Sequence, residues 1–366
     1  MVEKIKRLSI PRSARIIVIS DIHGELALLK KLLIKVDFKK EDYLIINGDL
    51  CEKGSNSNGV LHYLMHLSSG NEHVHIIEGN CDTLIENLIE EDPGLIRYLC
   101  TREHSILNEW LDCLDIQMNE DINLQAIKEL LTSNFSNEIQ WLTELPTAIE
   151  TEEYIFVHAG LSDLENWKET DRNSALTIPS FLNKQHHANK YVIVGHWPVI
   201  NYSFHTPSHN PIIDHKKKII AIDGGNIIKN TGQLNALMIE TQLAGVQFTY
   251  TYVDNFPTRK ITKTYKADPN MTGFIGYPTY NIIPIEKGDY FTLCKQTETE
   301  NYYYVKNEYI QEHPNGLFSV LGDISCTQLN VDIGEKVSII DDSCNGYTLI
   351  KKEGFIGWVT KDCLAD

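Results

Sequence analysis

Arg15-Ile16-Ile17-Val18-Ile19-Ser20-Asp21-Ile22-His23-Gly24 decides how the chain is to be read. Its apolar, β-branched run has the look of a buried strand, and it stops abruptly at two polar residues. Asp21 and His23 are two positions apart, so on an extended backbone both side chains point the same way. Both are metal-ligand types. The same event recurs down the chain: Tyr43 to Asn47 runs into Gly48-Asp49, His73 to Glu78 into Gly79-Asn80, Tyr154 to Val157 into His158, and Tyr191 to Val194 into Gly195-His196. Five strand ends thus deliver Asp, His, Asp, Asn, His and His.

The bulk of the chain suits an enzyme with a sizeable core. Its 366 residues, 42% of them hydrophobic, allow one large domain and a smaller one. A formal net charge of -17 disfavours a nucleic-acid polymer as partner, because phosphate backbones are held by Lys and Arg clusters. No apolar run reaches the roughly 20 residues needed to cross a bilayer, and Met1 to Ile10 lacks the apolar core of a signal peptide. The expected location is cytoplasmic, away from membranes. The 8 cysteines form no CxxC pair in a chain too long to need stapling, so reduced thiols are expected.

A helix is expected after Gly24, where Leu26, Leu29, Leu32 and Leu33 recur at helical spacing. Another runs through Val60 to Leu67. His62 and His66 on it have the spacing of a zinc pair but lack the intervening Glu of a metalloprotease, and they read as an ordinary helix face. Residues 92–145 are helical in pattern and form an insert, either roofing a site or packing on a sheet. Strands at Lys218 to Ile222, Leu234 to Glu240 and Gly245 to Val253 raise the strand count enough to imply two stacked sheets. Asp268-Pro269-Asn270, Gly273, Gly276 and Pro278 mark a boundary. The expected domains are 1–270 and 271–366, the second a small all-β barrel of short strands.

Imidazoles and carboxylates from separate strands can hold two divalent cations roughly 3.5–4 Å apart if one carboxylate bridges them. Such a pair polarises a phosphoryl oxygen and turns a bound water into hydroxide for in-line attack, with no nucleophilic side chain. Any one Asp or Asn could merely cap a turn. Six donor residues at five strand ends ask for a shared explanation.

Arg15 to Glu240, with its Asp-Ile-His-Gly, Gly-Asp, Gly-Asn, His-Ala-Gly-Leu and Gly-His elements in order, resembles the calcineurin-like metallophosphoesterases, in the branch near bacterial Ser/Thr protein phosphatases and diadenosine tetraphosphate hydrolases. The resemblance implies an α+β fold, a four-layer αββα sandwich of two packed sheets. It implies Asp21 and His23 on a first metal, Asp49 bridging, and Asn80, His158 and His196 on a second. Manganese is the expected ion, with Fe, Zn, Ni or Mg also suited to the mixed donors.

Several positions depart from the phosphatase pattern. Gly79-Asn80-Cys81-Asp82 stands where those enzymes have Gly-Asn-His-Glu, which places Cys81 and Asp82 among the expected catalytic residues. Glu52-Lys53-Gly54 replaces Asp-Arg-Gly, so Glu52 joins that set and Lys53 becomes a point-charge phosphate ligand. A second phosphate-binding Arg would fall at Pro179, with Arg172 as the stand-in, and Pro198 stands where many superfamily members carry a further His.

The implied activity is hydrolysis of phosphate esters, phosphatase-like. The alternatives are a phosphodiesterase or nucleotide hydrolase, or a binding protein that keeps metals for structure. The substrate would be a small phosphoester or a phosphoprotein. Gly334 to Val359, ending in Gly357-Trp358-Val359, resembles a bacterial SH3-like domain, which implies a peptide or protein ligand, or else a stabilising appendage.

Overall fold

The computed structural model describes residues 4–120, 122–243 and 245–365. Contacts divide the chain into two compact units, Met1–Pro198 with Pro211–Asp254, and Val199–Asn210 with Asn255–Asp366. The boundary expected near 270 therefore falls inside the second unit. Thr258–Lys260 already pairs there with Lys336–Asp341, and a pairing partner outweighs the loop-like composition that follows.

The first unit contains two mixed sheets. One carries β2 (Ile16–Ile19), β3 (Tyr43–Asn47), β4 (Val74–Ile77), β10 (Leu234–Gln242) and β11 (Gly245–Val253), in the order β11-β10-β2-β3-β4. The other carries β1 (Ile5–Arg7), β5 (Ala148–Glu150), β6 (Tyr154–Val157), β7 (Tyr191–Val194), β8 (Ile212–Asp214) and β9 (Ile219–Ala221), in the order β1-β5-β6-β7-β9-β8. Alternate residues of each strand face opposite ways. Ile16, Val18 and Ile45 pack with Phe156, Ile193 and Ile220 between the sheets. Ile17, Ile19, Leu44 and Ile46 instead meet helices. Burial on both faces explains why these strands read as unbroken apolar runs.

Helices α1 (Leu26–Lys35), α2 (Ser57–Gly70), α3 (Leu84–Ile89), α4 (Gly94–Thr101), α5 (Ile106–Cys113), α6 (Leu124–Asn134) and α7 (Ser136–Thr143) contribute to that outer core. The insert expected at 92–145 is thus helical and packed. Glu109 on α5 accepts from the Ser57 and Asn58 amides at 2.7 Å, satisfying donors that the first turn of α2 leaves free. Asn56 caps the same end through Gly59 N. Between β6 and β7 the chain forms only α8 (Arg172–Thr177) and short 3-10 turns among the described residues.

The described residues of the second unit are all-β apart from short 3-10 turns. Its strands are β12 (Thr258–Lys260), β13 (Phe274–Ile275), β14 (Asn281–Lys287), β15 (Phe291–Gln296), β16 (Tyr302–Lys306), β17 (Ile310–Glu312), β18 (Phe318–Val320), β19 (Ile324–Ser325), β20 (Lys336–Asp341), β21 (Tyr347–Lys352) and β22 (Phe355–Thr360). They form sheets ordered β16-β15-β14-β18-β17, β12-β20-β21-β22 and β13-β19. Trp358 is fully buried in the core and donates its indole N–H to Ser325 O at 2.7 Å. Pro284 interrupts β14, whose register against β15 shifts between Pro284 and Glu286.

No described helix is long and apolar enough to cross a membrane. All 8 cysteines are free.

Candidate metal centre

Strands β2, β3 and β4 are parallel and in register, as are β6 and β7, so the loops that follow each group leave from their carboxyl ends. Backbone bonds continue past the strands. Asp21 N donates to Gly48 O, His23 N to Asp49 O, and Gly24 N to Leu50 O at 2.9–3.1 Å, while Gly195 N donates to His158 O at 2.8 Å. These bonds hold the loops after β2 and β3 side by side.

The strand ends are not extended where the side chains matter. Asp21, His23, Asp49 and His196 have φ of 55°, 48°, 53° and 65°, and Glu52 and Lys53 have 69° and 74°. Strand β2 stops at Ile19, so Asp21 and His23 do not share a strand face as their spacing suggested. Each is turned inward by a left-handed residue, a conformation that costs about 1–3 kcal/mol for a non-glycine and concentrates at functional sites. Gly79 is required for a different reason: a Cβ there would lie 2.2 Å from Asp49 N and Oδ1.

Asp49 lies at the centre of the cluster. Its Oδ2 is 3.7 Å from His23 Nε2 and its Oδ1 is 3.4 Å from His158 Nε2. His23 Nε2 also faces Asp21 Oδ1 at 4.0 Å. Asn80 Oδ1 is 3.1 Å from His158 Nε2 and 2.8 Å from His196 Nδ1. The six residues expected to ligate metal are therefore brought together. Asp21, His23, Asp49 and His158 are almost wholly buried.

The imidazoles are oriented from behind. His23 Nδ1 lies 3.3 Å from Cys51 O and His158 Nδ1 lies 3.0 Å from Asn47 O, which leaves each Nε2 facing the carboxylates. Burial drives His23 and His196 down to about 4, so both are neutral at neutral pH. Burial, reinforced by the charge of Asp49, pushes Asp21 up. For Asp49 burial acts upward too, but its basic neighbours and the Cys81 amide outweigh it and hold the carboxyl low. Lone pairs of neutral imidazoles aimed at carboxylate and amide oxygens repel unless a proton or cation lies between them. This donor set fits divalent cations. Ligand atoms from Asp21, Asp49 and His158 lie mutually within 4.8 Å, as do those from His23, Asp49 and Cys81.

The residues expected to do other work divide. Lys53 is half-buried, and Cys81, Asp49 and Asp21 act on its charge. Asp82, expected in the catalytic set, instead accepts from Leu50 N, Cys51 N and Gly79 N at 2.8–3.2 Å, pinning the loop after β4 to the loop after β3. Glu52 accepts from Tyr98 Oη, Ser105 Oγ and Ile106 N at 2.8–3.0 Å, fastening the helical insert. Arg172 bonds both oxygens of Glu78 at 2.8 and 2.6 Å and both of Glu86 at 2.7 Å. Glu78 precedes Gly79 directly, so this pairing braces the loop rather than filling it.

Asn47 was not foreseen. Its Nδ2 donates to Val157 O at 3.0 Å and Ile193 O at 3.3 Å, joining β3 to both strands that end in His158 and His196. Its place as the last polar residue of an apolar strand was the available signal.

A family description for calcineurin-like phosphoesterase matches residues 14–222. No curated protein matches the chain. Solved structures that resemble it include a proposed diadenosine tetraphosphatase, 20% identical over 69% of this chain and 99% of that one with a TM-score of 0.45. Another is a protein serine/threonine phosphatase from Saccharomyces cerevisiae, 15% identical over 69% and 85% with a TM-score of 0.46. A metallophosphoesterase from Sphaerobacter thermophilus is 13% identical over 66% and 89% with a TM-score of 0.34. Likeness at this level says nothing of substrate. The family match spans more than half of the chain, with all six inward-facing donor residues inside it, and the chain belongs to the calcineurin-like phosphoesterase family.

Proposed function

We propose that the protein hydrolyses phosphate esters at a centre of two divalent cations. Asp21 and His23 serve one half, Asn80, His158 and His196 the other, and Asp49 both. The observation that carries this reading is the position of Asp49, with one carboxylate oxygen toward His23 and the other toward His158. When bound, the cations supply Lewis-acid polarisation of the phosphoryl group and a water acidic enough to attack near neutral pH. Lys53 balances charge on the phosphoryl oxygens as a point charge without the planar fork of an Arg. Asp82, Glu52 and Arg172 keep the loops in place.

A diester or nucleotide substrate is the second reading. It is favoured by the commitment of Arg172 to Glu78 and Glu86, which leaves the phosphate grip to Lys53. A diester carries one negative charge fewer and asks for less positive charge from the site. The SH3-like reading of the second unit is supported by its buried Trp358 on the strand Phe355–Thr360.

Manganese-loaded protein assayed on p-nitrophenyl phosphate and on its bis ester separates monoesterase from diesterase. Asp49→Asn is expected to lower turnover on the preferred ester by at least roughly 100-fold, the scale of removing one electrostatic partner at a reacting centre. Unchanged turnover would sink the proposal. No turnover on any ester, with a manganese-dependent rise in Tm, would favour a binding protein.

A further inference from the structure

Resting on the metal-centre reading above, we propose that Cys81 is itself a metal ligand, adding a sulfur donor beside His23 and Asp49. Ligand atoms of His23, Asp49 and Cys81 all lie within 4.8 Å of one another, the spread of donors around a single ion. The backbone fixes the residue there, since Cys81 N donates to Asp49 Oδ1 at 2.9 Å. His23 Nε2 stands 3.7 Å from Asp49 and 4.0 Å from Asp21, beyond hydrogen-bond length from both. Such gaps are what a cation would fill.

The sulfur accepts a hydrogen bond beside the Asp49 carboxylate. Asn80 Nδ2 donates to Sγ at 3.5 Å, and the positive charge of Lys53 acts on it from the other chain segment. One donor and one positive charge beside the sulfur support a coordinated thiolate, as outer partners do around metal ligands generally. On binding, the thiol proton leaves to solvent as the metal–sulfur bond forms, so uptake of metal releases a proton. A thiolate also changes which ion the site prefers. Sulfur favours Zn, Fe(II) or Co(II) over Mg and Mn, which choose oxygen. Cys81 then serves selection of the metal and is unavailable as a proton donor to the leaving group.

Metal-stripped protein titrated with Co(II) gives the decisive reading. The wild type is expected to show visible d–d bands together with a near-ultraviolet sulfur-to-cobalt charge-transfer band. Cys81→Ser should lose the charge-transfer band, keep d–d bands, and bind cobalt roughly tenfold or more weakly, since even outer partners of metal ligands are worth about 10–100-fold. Cys51→Ser, at the buried thiol on the loop after β3, should retain the band. The Tm of each stripped variant shows whether it is folded. A d–d spectrum without the charge-transfer band in the wild type, or a band that survives in Cys81→Ser, overturns the ligand assignment and leaves the two-cation centre standing. No cobalt uptake by folded wild type overturns both.

Discussion

At the scale of single residues, the site depends on backbone conformations that side chains must be forced into. Gly79 shows how little room is left. Gly79→Ala is expected to abolish most activity and lower Tm, because its methyl would overlap the Asp49 backbone and carboxylate at 2.2 Å; wild-type activity and stability in that variant would refute the packing described. Arg172 gives the opposite expectation. Arg172→Lys should cost about 1–3 kcal/mol of stability by breaking two-pronged pairing to the buried Glu78, with KM for the preferred ester nearly unchanged. A large KM increase at unchanged Tm would return Arg172 to the substrate.

At the scale of elements, α2 is held at its start by α5. Glu109→Ala removes both bonds to the Ser57 and Asn58 amides and is expected to destabilise the protein by about 1–2 kcal/mol in urea unfolding, the size of a lost cap. The elements themselves were largely legible in the sequence. Strands β2, β3, β6 and β7 announce themselves because they are buried on both faces, and each ends at a polar residue that leaves the core. What was hidden lies in contacts across long separations. Nothing near Arg172 says that Glu78, 94 residues earlier, will take it. Nor does Asp82 reveal that it will bind amides 31 and 32 residues back. The left-handed turns at Asp21 and His23 were equally invisible, because a spacing of two is ambiguous between an extended strand and a loop.

At the scale of the whole molecule, acid is expected to weaken the fold partly through His75 on β4. Burial, then the charge of Lys6, drives this imidazole down to about 4 from the ordinary 6.5, and Lys6 Nζ stands 3.0 Å from its Nδ1. The native state stays neutral where the unfolded chain takes up a proton. The contribution is therefore complete above pH 6.5 and declines as pH falls toward 4. A His75→Gln variant should show a flatter decline of Tm across that window, and an identical slope would remove His75 from the account. The arrangement of the units carries a second expectation. A chain ended at Asp254 keeps Val199–Asn210 but loses the rest of the unit in which Ile200 is buried, and it should be less soluble than the full chain. Replacing 199–210 in that shortened chain with a Gly-Ser linker should restore solubility if the exposed segment is the fault. The peptide crosses between units three times, at 198/199, 210/211 and 254/255. A tail fused to a finished enzyme would need one crossing. Here the segment that leaves His196 belongs to the all-β unit, so a cut at any one of these junctions separates at least one unit from part of itself.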